Sequence, residues 1–365
     1  MTTKRTSEAS TQLRSAGPLA VSRSARAPLA VPLSFVIVVV ILTIATRAAE
    51  KYTVTRDVPY VERGDRTLTA DVYVPDGKGP YPGILMVHGG AWVSGDKAHL
   101  AGYARTAAAA GYTVVAIRYR FAPKDPFPAQ IEDCQEAVRW MRRNAEKHKI
   151  DPDRIAGFGY SAGAHLVCLL GMTDNVDWEA EFARAAGVEP KDDDAKEAAD
   201  NAGPGGDGGS PASDSATAEG AAKADEAKKS EDAKKPEVVS DRLQAVVAGG
   251  TPCDFTYLPA GNQSMVFLLG GTRRERPAVY RLASPVQHVT RDDPPVFFFH
   301  GEDDLMVPRL GVERMARQLT DAGVKAETLI LPGKGHITAF LDSSAPDRMV
   351  EFLDRVLKES SDGER

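Results

Sequence analysis

The chain has 365 residues, 42% of them hydrophobic, enough to build the core of one large or two modest domains. Its formal net charge of −6 comes from one place: residues 189–237 hold fourteen acidic and seven basic side chains, and everything else sums to +1. The acidity therefore says nothing about a substrate, and the lack of a basic patch interleaved with aromatics excludes nucleic acid from the expected partners.

Residues 1–26 form a basic segment, with Lys4, Arg5, Arg14, Arg23 and Arg26 against the single acid Glu8. Residues 27–46 are uncharged and include the run Phe35-Val36-Ile37-Val38-Val39-Val40-Ile41-Leu42. As a helix this stretch rises roughly 30 Å, about the thickness of a bilayer's hydrocarbon layer. It lacks a polar face, so it is read as a transmembrane anchor or a signal peptide, with Thr46-Arg47-Ala48 as a loose cleavage site. The flanking positive charges predict export in either case. The rest of the chain is then membrane-anchored outside the cytoplasm, or periplasmic or secreted after cleavage.

From Tyr52 onward, strand-like and helix-like segments alternate. Residues 67–74 alternate in polarity and stop at Pro75, and residues 83–87 and 113–117 are short apolar runs that read as buried strands. Residues 97–110 read as a helix ended by Gly111. A longer helix is predicted over 131–148, with Ile131, Cys134, Val138 and Met141 on one face. A strand over 155–158 and a helix over 162–171 follow. Strands at 243–248, 295–299 and 327–331 and helices at 312–322 and 348–357 complete the series. Such alternation implies an α/β fold, a mostly parallel central sheet with helices on both faces, in one domain over 52–360.

Residues 189–237 interrupt that domain. They contain no Val, Ile, Leu, Met, Phe, Tyr or Trp, so they cannot bury enough apolar surface to offset the cost of ordering the chain. They are read as a disordered, low-complexity insertion, with a docking tail as the alternative role. The three cysteines, Cys134, Cys168 and Cys253, are odd in number and form no C-x-x-C pair. That argues against a disulfide framework or a thiolate metal site, and Cys134 and Cys168 fit helical patterns as small buried hydrophobes.

Four loops carry the chemistry, each after a predicted buried strand. Gly159-Tyr160-Ser161-Ala162-Gly163 lies between the strand at 155–158 and the helix that follows. A serine hydroxyl is a poor nucleophile unless exposed beside a base, and small residues two positions to either side permit the sharp turn that exposes it. His88-Gly89-Gly90-Ala91-Trp92 follows the strand at 83–87, where small residues let backbone N–H groups face a developing oxyanion, with the N–H of Ala162 as a further donor. His300-Gly301-Glu302-Asp303-Asp304 puts three carboxylates into the loop after 295–299, and Gly333-Lys334-Gly335-His336 follows the strand ending at Leu331. Of the other histidines, His88 and His300 open their loops as braces and His165 lies inside the post-serine helix. His99, His148 and His288 are expected at the surface.

The chain order serine, acid, histidine is that of α/β-hydrolases. With these motifs the sequence resembles α/β-hydrolase esterases of the hormone-sensitive-lipase-like and bacterial feruloyl/acetyl esterase kind. Further matches are Tyr119-Arg120-Phe121-Ala122-Pro123, Phe127-Pro128, Asp151-Pro152-Asp153-Arg154-Ile155, Ala283-Ser284-Pro285 and Asp293-Pro294-Pro295-Val296. The resemblance implies an α/β-hydrolase fold and Ser161, Asp304 and His336 as catalytic triad. It selects Asp304 over Glu302 and Asp303, with Asp254 the next candidate. It also implies that the Gly89-Gly90-Ala91 loop, through Gly90 and Ala91, forms the oxyanion hole with Ala162. Ala91 departs from the third glycine usual in the lipase-like subgroup, which restricts the backbone of that loop. The expected activity is hydrolysis of a small-molecule or polysaccharide ester, acetyl or feruloyl, with no cofactor or metal. Arylformamidase or amidase, serine exopeptidase, and a non-catalytic binding protein on the same scaffold are the alternatives.

Overall fold

A computed structural model describes residues 51–188, 239–258 and 262–359. The basic segment 1–26, the apolar stretch 27–46 and the insertion 189–237 lie outside the described residues. Among the described residues eight strands form one sheet: β1 (Tyr52–Arg63), β2 (Arg66–Pro75), β3 (Tyr81–Val87), β4 (Thr113–Ile117), β5 (Ile150–Tyr160), β6 (Ala245–Gly249), β7 (Val296–Gly301) and β8 (Ala326–Leu331). Their spatial order is β1-β2-β4-β3-β5-β6-β7-β8. From β4 through β8 all neighbours are parallel, while β2 runs antiparallel to both β1 and β4. The expected parallel sheet is therefore mixed at one end, and the whole is an α/β-hydrolase fold.

Side chains that alternate along each strand feed two cores, one per face. On β3, Ile84 and Met86 enter one core and Leu85 and Val87 the other; on β7, Phe297 and Phe299 part from Val296 and Phe298 in the same way. Helices α1 (Ala101–Ala109) and α10 (Ala345–Leu357) cover the first face through Tyr103, Ala104, Phe352 and Leu353. On the other face lie α2 (Ala129–Arg143), α4 (Ala162–Gly171) and α8 (Leu310–Asp321), through Ile131, Val138, Leu166 and Met315. Each large apolar side chain buried this way contributes about 1.5–3 kcal/mol. The three cysteines are free and buried within the second core.

Several elements differ from expectation. Strand β1 was not predicted, because its charged residues and two register shifts against β2 spoil any clean alternation. The helix expected over 131–148 breaks at Asn144 (φ −109°), leaving the single-turn α3 (Ala145–His148), which ends at Lys149 in the left-handed region. His148, expected at the surface, is buried against the Trp140 ring, with centroids 5.1 Å apart. Helices α5 (Trp178–Ala186), α6 (Gln263–Leu269), α7 (Pro277–Leu282) and α9 (His336–Phe340) were also unforeseen.

The transmembrane helix expected over 27–46 falls outside the described residues and finds no counterpart among them. Among the described residues no helix is long and apolar enough to cross a membrane. The longest of them, α2, has 15 residues and rises about 22 Å, short of the roughly 30 Å required, and it carries Glu132, Asp133, Glu136, Arg139, Arg142 and Arg143.

Candidate active site

The sheet places four loops together at the carboxyl ends of β3, β5, β7 and β8. Ser161 stands between β5 and α4 with φ 54° and ψ −119°, a conformation that costs a non-glycine residue about 1–3 kcal/mol. Its surroundings hold it there: the Ser161 N–H donates to the carbonyl of Gly249 on β6 at 2.8 Å, and its own carbonyl accepts from the N–H of His165 at 3.0 Å. A Cβ on Gly163 would drive into the carbonyl oxygen of Val87, and one on Gly159 into the backbone of Gly163. The two glycines of the motif are thus demanded by the close passage of β5, α4 and β3. Ser161 itself remains half-exposed.

His336 opens α9, just past β8, and its Nδ1 lies 2.6 Å from Oδ2 of Asp304. Oδ1 of Asp304 accepts from the N–H groups of Met306 and Val307 at 2.9 and 2.8 Å. Burial raises the Asp304 carboxyl's pKa, but the bonds from His336 and Val307 outweigh it and hold the group below its ordinary value. An ionised carboxylate only accepts, so Nδ1 of His336 carries the proton and Nε2 is left as the basic nitrogen. The hydroxyl of Tyr160 donates to the His336 carbonyl, tying His336 to the residue before Ser161.

The neighbouring carboxylates are placed differently. Glu302 and Asp303 are exposed, and Glu302 accepts from the N–H of Gly333 at 3.2 Å. Asp254 closes a turn on Thr256, with 2.6 Å to its hydroxyl, and makes no bond to His336. His300 is wholly buried, its Nε2 2.8 Å from the carbonyl of Val307 and 3.3 Å from Oδ2 of Asp304. Burial lowers its pKa, so it braces the acid loop as a neutral ring rather than as an ion-pair partner.

The loop after β3 lies directly against the serine turn. A Cβ on Gly89 would come within 3.0 Å of the Tyr160 carbonyl oxygen and 3.3 Å of the Ser161 Cβ. Gly90 has φ +127°, and a side chain there would strike the Ser94 carbonyl. Ala91 and Trp92 are both left-handed, with φ 52° and 62°, at about 1–2 kcal/mol each. Among the described residues, the N–H groups of Gly90 and Ala91 donate to no backbone acceptor, and the first N–H of α4, at Ala162, has no side-chain cap. His88 braces the loop, its Nδ1 2.7 Å from the Gly89 carbonyl and its ring stacked on Tyr119 at 4.5 Å.

A cavity of about 650 Å³ opens over these groups, lined by Gly89, Gly90, Ala91, Ser161 and His336 together with mostly apolar walls from Val93, Leu100, Met306, Ile337 and Phe340. Asp96, held by Arg118, and His99 supply its polar side. Among the described residues no three His, Cys, Asp or Glu side chains gather to hold a metal ion. Sequence reasoning missed the contact of Trp92 with His165, whose 3.2 Å bond joins the loop after β3 to α4. The only hint of it was that the loop and the helix each carry an otherwise unassigned polar aromatic.

Residues 70–319 match the BD-FAE family. Esterase LipC of Mycobacterium tuberculosis is 32% identical over 278 residues, covering 73% of this chain and 55% of LipC. Esterase LipQ of the same organism is 25% identical over 300 residues, covering 81% of this chain and 60% of LipQ. The chain thus spans little more than half the length of these relatives. A solved truncated form of a carbohydrate esterase from gut microbiota superimposes with a TM-score of 0.64 at 25% identity, covering 86% of this chain and 99% of that one.

Proposed function

The chain belongs to the BD-FAE family of α/β-hydrolases, and from that premise we propose that it is a serine carboxylic-ester hydrolase working through an acyl-enzyme. The observation that carries this reading is the 2.6 Å bond between Asp304 and His336, together with the shared lining of one cavity by His336 and Ser161. In the first half-reaction Nε2 of His336 takes the Ser161 proton as Oγ adds to the ester carbonyl carbon. The charge that forms on the carbonyl oxygen is held by the N–H groups of Gly90, Ala91 and Ala162. Collapse of this intermediate expels the alcohol, which receives the proton from His336. Water then repeats the sequence on the acyl-enzyme and releases the carboxylic acid. Asp304 keeps the imidazole in the tautomer that leaves Nε2 basic.

The substrate is a short-chain or carbohydrate-linked ester, acetyl or feruloyl. Support comes from the size and apolar walls of the cavity, and from the likeness to a solved carbohydrate esterase. A fluorophosphonate probe tests the mechanism: it should label the native protein at Ser161 and leave Ser161→Ala unlabelled. A panel of nitrophenyl esters of rising chain length, acetylated xylan, methyl ferulate and N-formylkynurenine tests the substrate. Turnover of the formamide alone would reject the ester reading.

A further inference from the structure

Ala91 and Trp92 are consecutive L residues with φ 52° and 62°. Left-handed backbone crowds Cβ against the carbonyl oxygen, so a loop with two such residues relaxes unless something outside it holds on. Trp92 is where it is held. Its carbonyl accepts from the N–H of Ala122 at 3.0 Å, and its indole Nε1–H donates to Nδ1 of His165 at 3.2 Å. The indole packs edge-on against His165 and Phe255, each with centroids 5.4 Å apart, and His165 stacks on Phe255 at 4.5 Å.

The imidazole is fixed from its other side. Its Nε2 lies 2.7 Å from the carbonyl of Ala283, an atom that only accepts, so Nε2 carries the proton and Nδ1 is the bare nitrogen the indole needs. His165 sits on α4 one turn beyond Ser161, and its backbone N–H binds the Ser161 carbonyl. One residue therefore grips both the nucleophile's turn and the side chain that ends the Gly89–Ala91 loop.

We propose that Trp92 and His165 are positioning residues, a strap whose indole–imidazole bond keeps the Ala91 N–H aimed at the oxyanion site in a backbone conformation that alanine would otherwise leave. The inference rests on the ester-hydrolase reading for its kinetic consequence only. It also accounts for an alanine at a position where glycine would need no strap.

Trp92→Phe removes the N–H and keeps most of the ring. With nitrophenyl acetate it should lower kcat by about 10–100-fold and change KM by less than about threefold, because the lost alignment matters in the transition state. Adding Ala91→Gly should recover at least about fivefold of kcat, since glycine takes positive φ without steric cost. A packing defect would not be repaired that way. Full kcat in Trp92→Phe, or a loss that Ala91→Gly leaves untouched, overturns the proposal. If the native protein turns over no ester, it is the hydrolase reading that fails. The strap is then read by NMR, where the Trp92 indole N–H should be protected from exchange in the native protein and exposed in His165→Leu. Equal protection in both overturns it.

Discussion

Oδ2 of Asp304 meets Nδ1 of His336 at 2.6 Å, across two loops that are 32 residues apart in sequence. Neither of the two acids just before Asp304 reaches that nitrogen, because successive residues of the turn project in different directions and both end in solvent. Asp304→Asn should therefore lower kcat by about 10⁴-fold, the loss typical of a serine hydrolase whose histidine loses its orienting acid. Glu302→Gln and Asp303→Asn should each change it by less than about threefold, since exposed charges act weakly through water. Equal, mild losses in all three variants would place the acid on another loop.

Gly163→Ala tests the serine turn by collision. The added methyl group has no room beside the Val87 carbonyl, and backbone on both sides cannot give way as a flexible side chain would. The variant should lose about 3 kcal/mol of stability or more, along with its turnover. A melting temperature within a degree or two of the native value would show that β3 and α4 pass less closely than this.

Buried histidines make stability depend on pH, His88 and His165 most strongly. Burial holds His88 and His165 at about 4, against the ordinary value of 6.5. Between those values the unfolded chain binds protons that the folded one refuses, so stability is full above about pH 6.5 and falls as pH drops. Each ring contributes a slope of up to about 1.4 kcal/mol per pH unit, and the loss levels off near pH 4. The urea midpoint should decline from pH 7 to pH 5, and less steeply in His165→Gln. Parallel profiles for the two proteins would contradict the assignment.

Deleting residues 189–237 should leave ester hydrolysis nearly unchanged. The chain re-enters the described structure below the start of β6, where Arg142 binds the carbonyls of Ser240 and Arg242 and the Gln244 N–H binds Ile155. That is the amino end of the strands, opposite the end that carries Ser161. A hundredfold fall in kcat/KM with a normal melting profile would give the segment a part in catalysis.

The serine turn was legible because steric demands write themselves into sequence: Gly159 and Gly163 are glycines wherever such a turn must pass a strand. The buried strands were legible for a similar reason, since Ile84 through Val87 and Val296 through Phe299 serve cores on both faces and so are continuously apolar. Strand β1 escaped because an edge strand half in water has no such constraint. The helices between β6 and β7 escaped because each is a short run whose burial is set by neighbours distant in sequence. The choice among three adjacent carboxylates depended on the direction of a turn, which composition does not encode. The link between Trp92 and His165 was invisible for the same reason: it spans 73 residues and exists only once α4 lies under the loop.

His336, the proposed general base, hangs from the sheet's rim. Among the described residues β8 pairs with β7 alone, and most of its residues are only partly covered, whereas Ser161 follows a strand flanked on both sides. Outer strands detach at lower cost than central ones. Gentle warming or low urea should therefore disengage His336 while Ser161 and both cores remain in place, switching turnover off reversibly before any spectroscopic sign of melting. The operating ceiling of the proposed activity would then be set by β8 rather than by the core, and bracing β8 from outside should raise that ceiling even if the melting temperature stays where it is.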